Sequence, residues 1–209
     1  MAYSDKHIQI IETAEQLFSK NGYDGTTVRD IAVEAGVNIA MISYYFGSKE
    51  KLMEAVFDHR TGNIKLRVES LLKNDSLSPL QKMEILIDEH IERVLNNQGF
   101  YKIMLCEQVI NKNPTIINLL IDIKKRNAGL INELIKDGQK KGVFKKKIDV
   151  VLLLSTMVGT VIQMLVSQAY YRDYNNLKSM PDNEFEDLIK KKLSVHLKNL
   201  FKSILINEA

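Results

Sequence analysis

Only three prolines interrupt these 209 residues, and each stands where a helix would begin. Ser78-Pro79 and Asn113-Pro114 each read as an N-cap followed by proline at the first helical position, where the missing N–H would have had no partner anyway. Pro181-Asp182 opens the last segment in a similar way. With ten glycines and no tryptophan, the chain has too few turn residues for a turn-rich all-β fold. No stretch sustains the apolar/polar alternation of a strand. Apolar residues recur instead at spacings of three and four, as Ile10, Ile11, Ala14, Leu17 and Phe18 do ahead of an Asn21-Gly22 stop. The pattern predicts an all-α chain of nine helices, at about 5–21, 28–35, 39–45, 49–72, 79–97, 100–111, 114–140, 149–172 and 182–206.

Hydrophobic residues make up 45% and charged residues 26%, the composition of a core-forming globular protein. The single cysteine, Cys106, excludes an intramolecular disulfide and fits a reducing cytoplasm. The N-terminus is charged too early and too often to be a signal peptide. One run, residues 150–171, carries no charge and by length alone reads as a membrane span. Gln163, Gln168, Ser155, Thr156, Thr160 and Ser167 within it favour the other reading, a buried helix shared between subunits, and no membrane partner is expected. Short helices before residue 50 and longer ones after residue 79 point to a small N-terminal domain joined to a larger helical body.

The most informative stretch is residues 26–51, TTVRDIAVEAGVNIAMISYYFGSKEK. Thr27 followed by Asp30 reads as a capping box with a shortened acid. Ile31, Ala32 and Ala35 form a small apolar face, and Gly36 ends the helix where a positive φ is needed. Asn38 caps a second short helix with Ile42 and Tyr45 turned inward, which leaves Ile39, Ala40, Ser43 and Tyr44 pointing outward. Ala32 has to be small where two helices cross, and Val37 and Ile42 fill the wedge between them. The Ala-x-x-x-Gly-Val spacing alone is equally that of a plain αα-hairpin.

Taken together, residues 8–56 resemble the N-terminal DNA-binding domain of the TetR (tetracycline-repressor-like) family. The resemblance runs through Ala14, Leu17 and Phe18; Gly22-Tyr23; Thr26-Thr27-Val28; Ile31-Ala32; Ala35-Gly36-Val37; and residues 45–50, YFGSKE. A weaker likeness follows at residues 138–144, GQKKGVF. The family often has a Tyr where Ser43 stands and a His near Tyr44 or Tyr45, so the bases read do not carry over. The resemblance implies a helix-turn-helix domain over 1–50 and a helical effector-binding and dimerisation domain over 51–209. It implies a ligand-responsive transcriptional regulator, most often a repressor, that a small molecule releases from a near-palindromic double-stranded DNA operator.

Residues 1–50 hold four basic side chains against seven acidic ones, so a simple basic-patch argument fails. The stretch from Ala35 to Lys49 has no acid, and there the DNA-facing charge is expected. Phosphate contacts fall to Lys49, Arg29, the Thr27 hydroxyl and the Tyr44 or Tyr45 hydroxyls, with helix N-terminal amides. Asn38 offers the pair of groups that adenine takes, Ile39 and Ala40 offer apolar contact to thymine methyls, and Ser43 is permissive. With no Arg or Lys on the second helix, the core half-site is expected to lean to A·T, Arg29 being the nearby candidate for guanine.

In the body, the last helix carries Phe185, Leu188, Ile189, Leu193, Leu200, Phe201 and Ile204 on one stripe, with His196 read as a packed histidine on it. The resemblance implies a homodimer through the last two helices. Phe100, Tyr101, Met104, Gln108, Met157, Gln163 and Met164 are the candidate effector-pocket residues, apolar with a few polar anchors. Met and aromatic residues at helical spacing are equally core. His7, His59, His90 and His196 are scattered, and Cys106 in an apolar helix reads as buried and inert. No metal-ligand spacing, phosphate loop or nucleophile elbow is present, so neither a cofactor nor enzymatic activity is expected.

Overall fold

The computed structural model describes residues 3–110 and 113–206, and every regular element among them is helical. Eleven helices follow in order: α1 Asp5–Asn21, α2 Val28–Glu34, α3 Ile39–Phe46, α4 Lys49–Thr61, α5 Ile64–Leu72, α6 Pro79–Asn96, α7 Gln98–Ile110, α8 Pro114–Lys140, α9 Val150–Val166, α10 Gln168–Tyr174 and α11 Asp182–Leu205. Two of the three proline-marked starts form as read, while Pro181 is itself the N-cap of α11 and makes no side-chain cap bond. The Ser78 hydroxyl accepts from the Gln81 N–H at 3.3 Å while the Ser78 N–H donates to Gln81 Oε1 at 2.8 Å, ahead of Pro79. Asn113 Oδ1 accepts from the Thr115 N–H at 3.0 Å. The expected end of one helix at residue 111 lies outside the described residues.

Two expected helices are each divided. The 49–72 segment breaks at Gly62-Asn63, a pair of weak helix formers, into α4 and α5. The 149–172 segment, uncharged from 150 to 171, breaks at Ser167, whose hydroxyl donates back to the Gln163 carbonyl at 2.6 Å. Such back-bonding lets the backbone leave the helical path, and α9 and α10 meet at a 75° bend. No single helix among the described residues is long and apolar enough to cross a membrane.

The chain divides into two compact units. The first holds the described residues of 1–64 and 99–125. Its core joins Ile10, Ile11, Ala14 and Phe18 of α1 to Leu52, Met53 and Val56 of α4, all buried. Phe57 stacks edge-on against Phe100 of α7 at 5.1 Å between ring centres. Arg60 ties α4 to the buried Glu15 of α1 at 2.7 Å.

The second unit holds the described residues of 65–98 and 126–206. Here α11 lays Phe185, Ile189, Leu193, Leu197, Phe201 and Leu205 against α6. Ser194 donates to Asp88 of α6 at 2.6 Å, and Lys198 pairs with the same carboxylate. Leu197 completes the stripe. His196, expected on it, is exposed beside it, because one helical step turns it from the α6 side to the outside. At the end of α8, Gly142 takes φ 71°, the Val143 N–H returns to the Gly138 carbonyl at 2.9 Å, and Phe144 folds over Gly138. A Cβ at Gly138 would lie 2.2 Å from the Phe144 ring, so the Gly138–Phe144 motif is a packed stop.

His90 of α6 is buried in this unit, and desolvation with the charge of Arg93 lowers its pKa to about 4. Below its unfolded value of 6.5 the unfolded chain takes up a proton that the native one resists. Stability present above pH 6.5 is therefore lost as pH falls toward 4, by about 3 kcal/mol at 1.36 kcal/mol per pH unit. Urea unfolding across that range should show the loss in the wild-type chain, and His90→Gln should flatten it.

Candidate nucleic-acid interface

Three short helices of the first unit, α2, α3 and the start of α4, are fixed by local bonds that the sequence spells out. The Thr27 N–H donates to Asp30 Oδ2 at 2.8 Å and the Asp30 N–H donates to Thr27 Oγ1 at 3.1 Å, closing the capping box. These bonds, with the Thr27 hydroxyl donating at 2.7 Å, hold the Asp30 carboxyl below its usual range. At the other end of α2, Gly36 has φ 60°. The Gly36 N–H bonds the Val33 carbonyl at 3.1 Å and the Val37 N–H bonds the Ala32 carbonyl at 2.9 Å. This double return is the glycine stop that sets the turn between the helices. Gln9 of α1 donates to the Ala35 carbonyl at 2.9 Å, fastening the turn to the first helix.

Asn38 caps α3, its Oδ1 accepting from the Ala40 N–H at 2.8 Å. Ile42 is 1% exposed and packs inward, while Ile39, Ala40, Ser43 and Tyr44 are all exposed, Tyr44 at 85%. The outward face of α3 is therefore the one expected. Tyr45 is half-buried, its ring 4.2 Å from that of His7, which also meets Phe46 at 5.6 Å. Ser4 Oγ lies 2.7 Å from His7 Nδ1, so the start of α1 braces the end of α3.

Two expected phosphate contacts have other work. The Thr27 hydroxyl hydrogen is spent on Asp30. The Lys49 ammonium donates to the Tyr23 and Thr26 carbonyls at 2.7 and 2.8 Å and lies 4.1 Å from the centre of the Tyr23 ring. It is a clasp that holds the loop between α1 and α2 onto α4. Arg29 is exposed on α2, and Asn38 is exposed with its Oδ1 taken by the Ala40 N–H, one of the two groups expected for adenine.

The expected effector residues separate into two groups. Phe100, Tyr101, Met104 and Gln108 lie on α7 in the first unit, and Met157, Gln163 and Met164 on α9 in the second. Phe100 and Tyr101 are buried with rings 5.2 Å apart. Gln108 is engaged by the Met104 carbonyl at 2.9 Å and by Lys124. Met157 is buried and Met164 half-buried, but Gln163 is exposed: it falls on the side of α9 opposite the buried Leu153, Met157, Val161 and Leu165. Cys106, expected buried, is exposed on α7, because the helix turns Ile103 and Glu107 inward on either side of it. Gln9, His7 and Tyr23 were not legible as parts of the site. Only the paired aromatics Tyr45-Phe46, which need a partner surface, hinted at a brace.

Two family profiles match the chain. That of bacterial regulatory proteins, tetR family, covers residues 10–56, and that of the YsiA-like protein C-terminal region covers residues 57–196. The fatty acid metabolism regulator protein of Bacillus subtilis is 23% identical over 184 residues, spanning 88% of this chain and 94% of its own. The HTH-type transcriptional repressor NicS of Pseudomonas putida is 29% identical over 140 residues, 66% of each chain. Among solved structures, FadR from Bacillus subtilis in complex with stearoyl-CoA superposes with a TM-score of 0.71 at 22% identity, over 94% of this chain and 98% of that one. FadR from Bacillus halodurans gives 0.72 at 23% identity, over 95% and 97%. This chain belongs to the TetR family of bacterial regulatory proteins: it is a ligand-responsive, DNA-binding transcriptional regulator.

Proposed function

We propose that residues 1–50 read a near-palindromic operator as a pair, one α3 per half-site, and that residues 51–209 dimerise the chain and bind the effector that releases it. The observation that carries this reading is the outward face of α3, exposed and free of acids, on a helix whose two flanking turns are locked by side-chain and glycine caps. Asn38, Ile39, Ala40, Ser43 and Tyr44 are the base-facing set, Arg29 and the tyrosine hydroxyls the phosphate-facing set. The protein acts by binding, in the cytoplasm where its DNA is, and needs no catalytic group or cofactor.

Dimerisation is supported by α9. Its outer side presents Val151, Leu152, Ser155, Gly159, Gln163 and Val166, all exposed and none charged, and Tyr170 and Tyr174 of α10 continue the patch. The apolar stripe of α11 is consumed within the chain, so α11 contributes to the contact through its flank near Val195. A two-fold pair sets two reading heads one helical turn of DNA apart. The effector class we assign is a long-chain acyl thioester, supported by the likeness along nearly the whole chain to regulators of fatty acid metabolism.

In vitro selection from random duplexes with the purified protein tests the DNA reading. It is expected to return a palindrome with A·T-leaning half-sites, and G·C-rich half-sites or no enrichment would refute it. Adding stearoyl-CoA to the selected complex should release it, with free coenzyme A as the control.

A further inference from the structure

α3 is an eight-residue helix with one fully buried side chain, Ile42. A single inward anchor leaves so short a helix free to roll about that point, and the roll sets where the neighbouring Ser43 and Tyr44 point. The next side chains along it are Tyr45 and Phe46, both half-buried. Both meet His7 of α1, whose ring centre lies 4.2 Å from that of Tyr45 and 5.6 Å from that of Phe46. His7 is itself held from two sides. Ser4 Oγ lies 2.7 Å from its Nδ1, and the Tyr3 ring stands 5.9 Å away, reaching on to His59 of α4 at 6.4 Å. Ser4 is the N-cap of α1, yet its side chain makes no cap bond to that helix. A serine in that place ordinarily caps the first turn. Here its hydroxyl orients a ring instead, and departures from a local rule gather at functional sites.

We propose that His7 is a positioning residue for base reading. Its ring is the second anchor of α3: with Ile42 it fixes the roll of the helix, so that Ser43 and Tyr44 meet base edges at one angle. The exposed Tyr44 ring lies 5.4 Å from that of Tyr45, so a tilt of Tyr45 carries straight to the outward side. Removing the His7 ring leaves the Asn38 cap and the Gly47 stop in place, and α3 still forms; what it loses is a single orientation. Phosphate contacts tolerate such a change, because the backbone is alike at every step of the duplex. Contacts to base edges do not, because donors, acceptors and methyls stand at fixed places in the groove. The work of His7 is therefore to tell one sequence from another, with little part in holding DNA as such.

This rests on the outward face of α3 being the base-reading one, and the test keeps the two apart. Wild type, His7→Ala, His7→Phe and His7→Gln are titrated against the selected duplex and against a scrambled duplex of the same length and composition. His7→Ala should lose about tenfold on the selected duplex, the order of one base contact. On the scrambled duplex it should stay within about twofold of wild type, since phosphate contacts carry that binding. His7→Phe, which keeps a flat ring beside Tyr45, should recover most of the discrimination. His7→Gln, which keeps a polar end for Ser4 Oγ but no ring, should not. Equal losses on the two duplexes would make His7 a phosphate contact or a general support of the fold and overturn the proposal. Unchanged discrimination in His7→Ala, or recovery by Gln and not by Phe, would overturn it as well. If no duplex is enriched, the base-reading face fails first. Amide exchange in the free protein then decides: protection of the Gly47 N–H, bonded to the Ser43 carbonyl at 2.9 Å, should fall in His7→Ala and return in His7→Phe. Equal protection in wild type and His7→Ala overturns it.

Discussion

Gly159→Glu is expected to leave the chain folded but monomeric and to weaken operator binding by roughly a hundredfold or more, since half of the two-site contact is lost. Within one chain a Cβ at Gly159 meets nothing within 4 Å, and the residue is exposed in the middle of α9. Mid-helix glycine costs about 1 kcal/mol relative to alanine, so replacing it should hold or raise the stability of the single chain. Any loss must then come from a second copy. A carboxylate facing the uncharged side of Leu152, Ser155, Gln163 and Val166 would be buried without a partner, at a cost of several kcal/mol per subunit. Sedimentation or light scattering reads the state of association, circular dichroism the fold, and anisotropy with the selected duplex the affinity. A dimeric Gly159→Glu protein with unchanged affinity would overturn the assignment of α9 to the interface. Gly159→Ala serves as the companion, since it removes the helix cost without adding charge.

The second large effect belongs to Lys49. Lys49→Met removes both donors from the Tyr23 and Thr26 carbonyls and the cation from the Tyr23 ring. Leaving part-buried acceptors without donors costs about 1–3 kcal/mol, and the ring contact adds about 0.5–1 kcal/mol. A loss of about 2–3 kcal/mol in urea unfolding is expected, with the operator affinity falling because α2 is no longer held. The salt dependence separates this role from direct phosphate contact. A phosphate-binding lysine contributes about −0.9 to the slope of log K against log salt, whereas a clasp contributes nothing to it. Lys49→Met should therefore lower stability and affinity with the slope unchanged, and Lys49→Arg should restore part of both. Unchanged stability with a slope reduced by about one per subunit would make Lys49 a phosphate contact after all. The wild-type slope itself should be shallow, given an α3 without Lys or Arg, and a value near about −10 would contradict that.

Much of the frame of the site was legible because its bonds are local. Thr27 and Asp30, three residues apart, can hardly do other than form a capping box, and Gly36 takes the positive φ that its place after Ala35 requires. The outward set of α3 followed from the burial of Ile42 by helical geometry alone. Lys49 reads as a phosphate contact because a lysine next to an acid-free stretch is one by composition. Its two carbonyl partners lie more than twenty residues away in sequence. Cys106 and His196 were placed on buried faces by the apolar residues around them, but one helical step of rotation, set by which neighbour the helix packs against, put both outside. The break at Ser167 turned on whether a hydroxyl would bond back to Gln163, a choice that no periodicity records.

By itself the sequence determined most of the helices and their caps, the helix-turn-helix and the absence of acids on its reading surface, since each depends on residues within a turn or two of one another. Tertiary structure alone decided what each long side chain is for. It placed Gln9 under the Ala35 carbonyl and Lys49 over the Tyr23 ring. It turned the α11 stripe to α6 and left α9 with an uncharged outer side. The reason is common to all of these: backbone bonding in a helix closes over four residues, whereas the partner of a charged or polar side chain is whatever the packing of distant segments brings within about 3 Å.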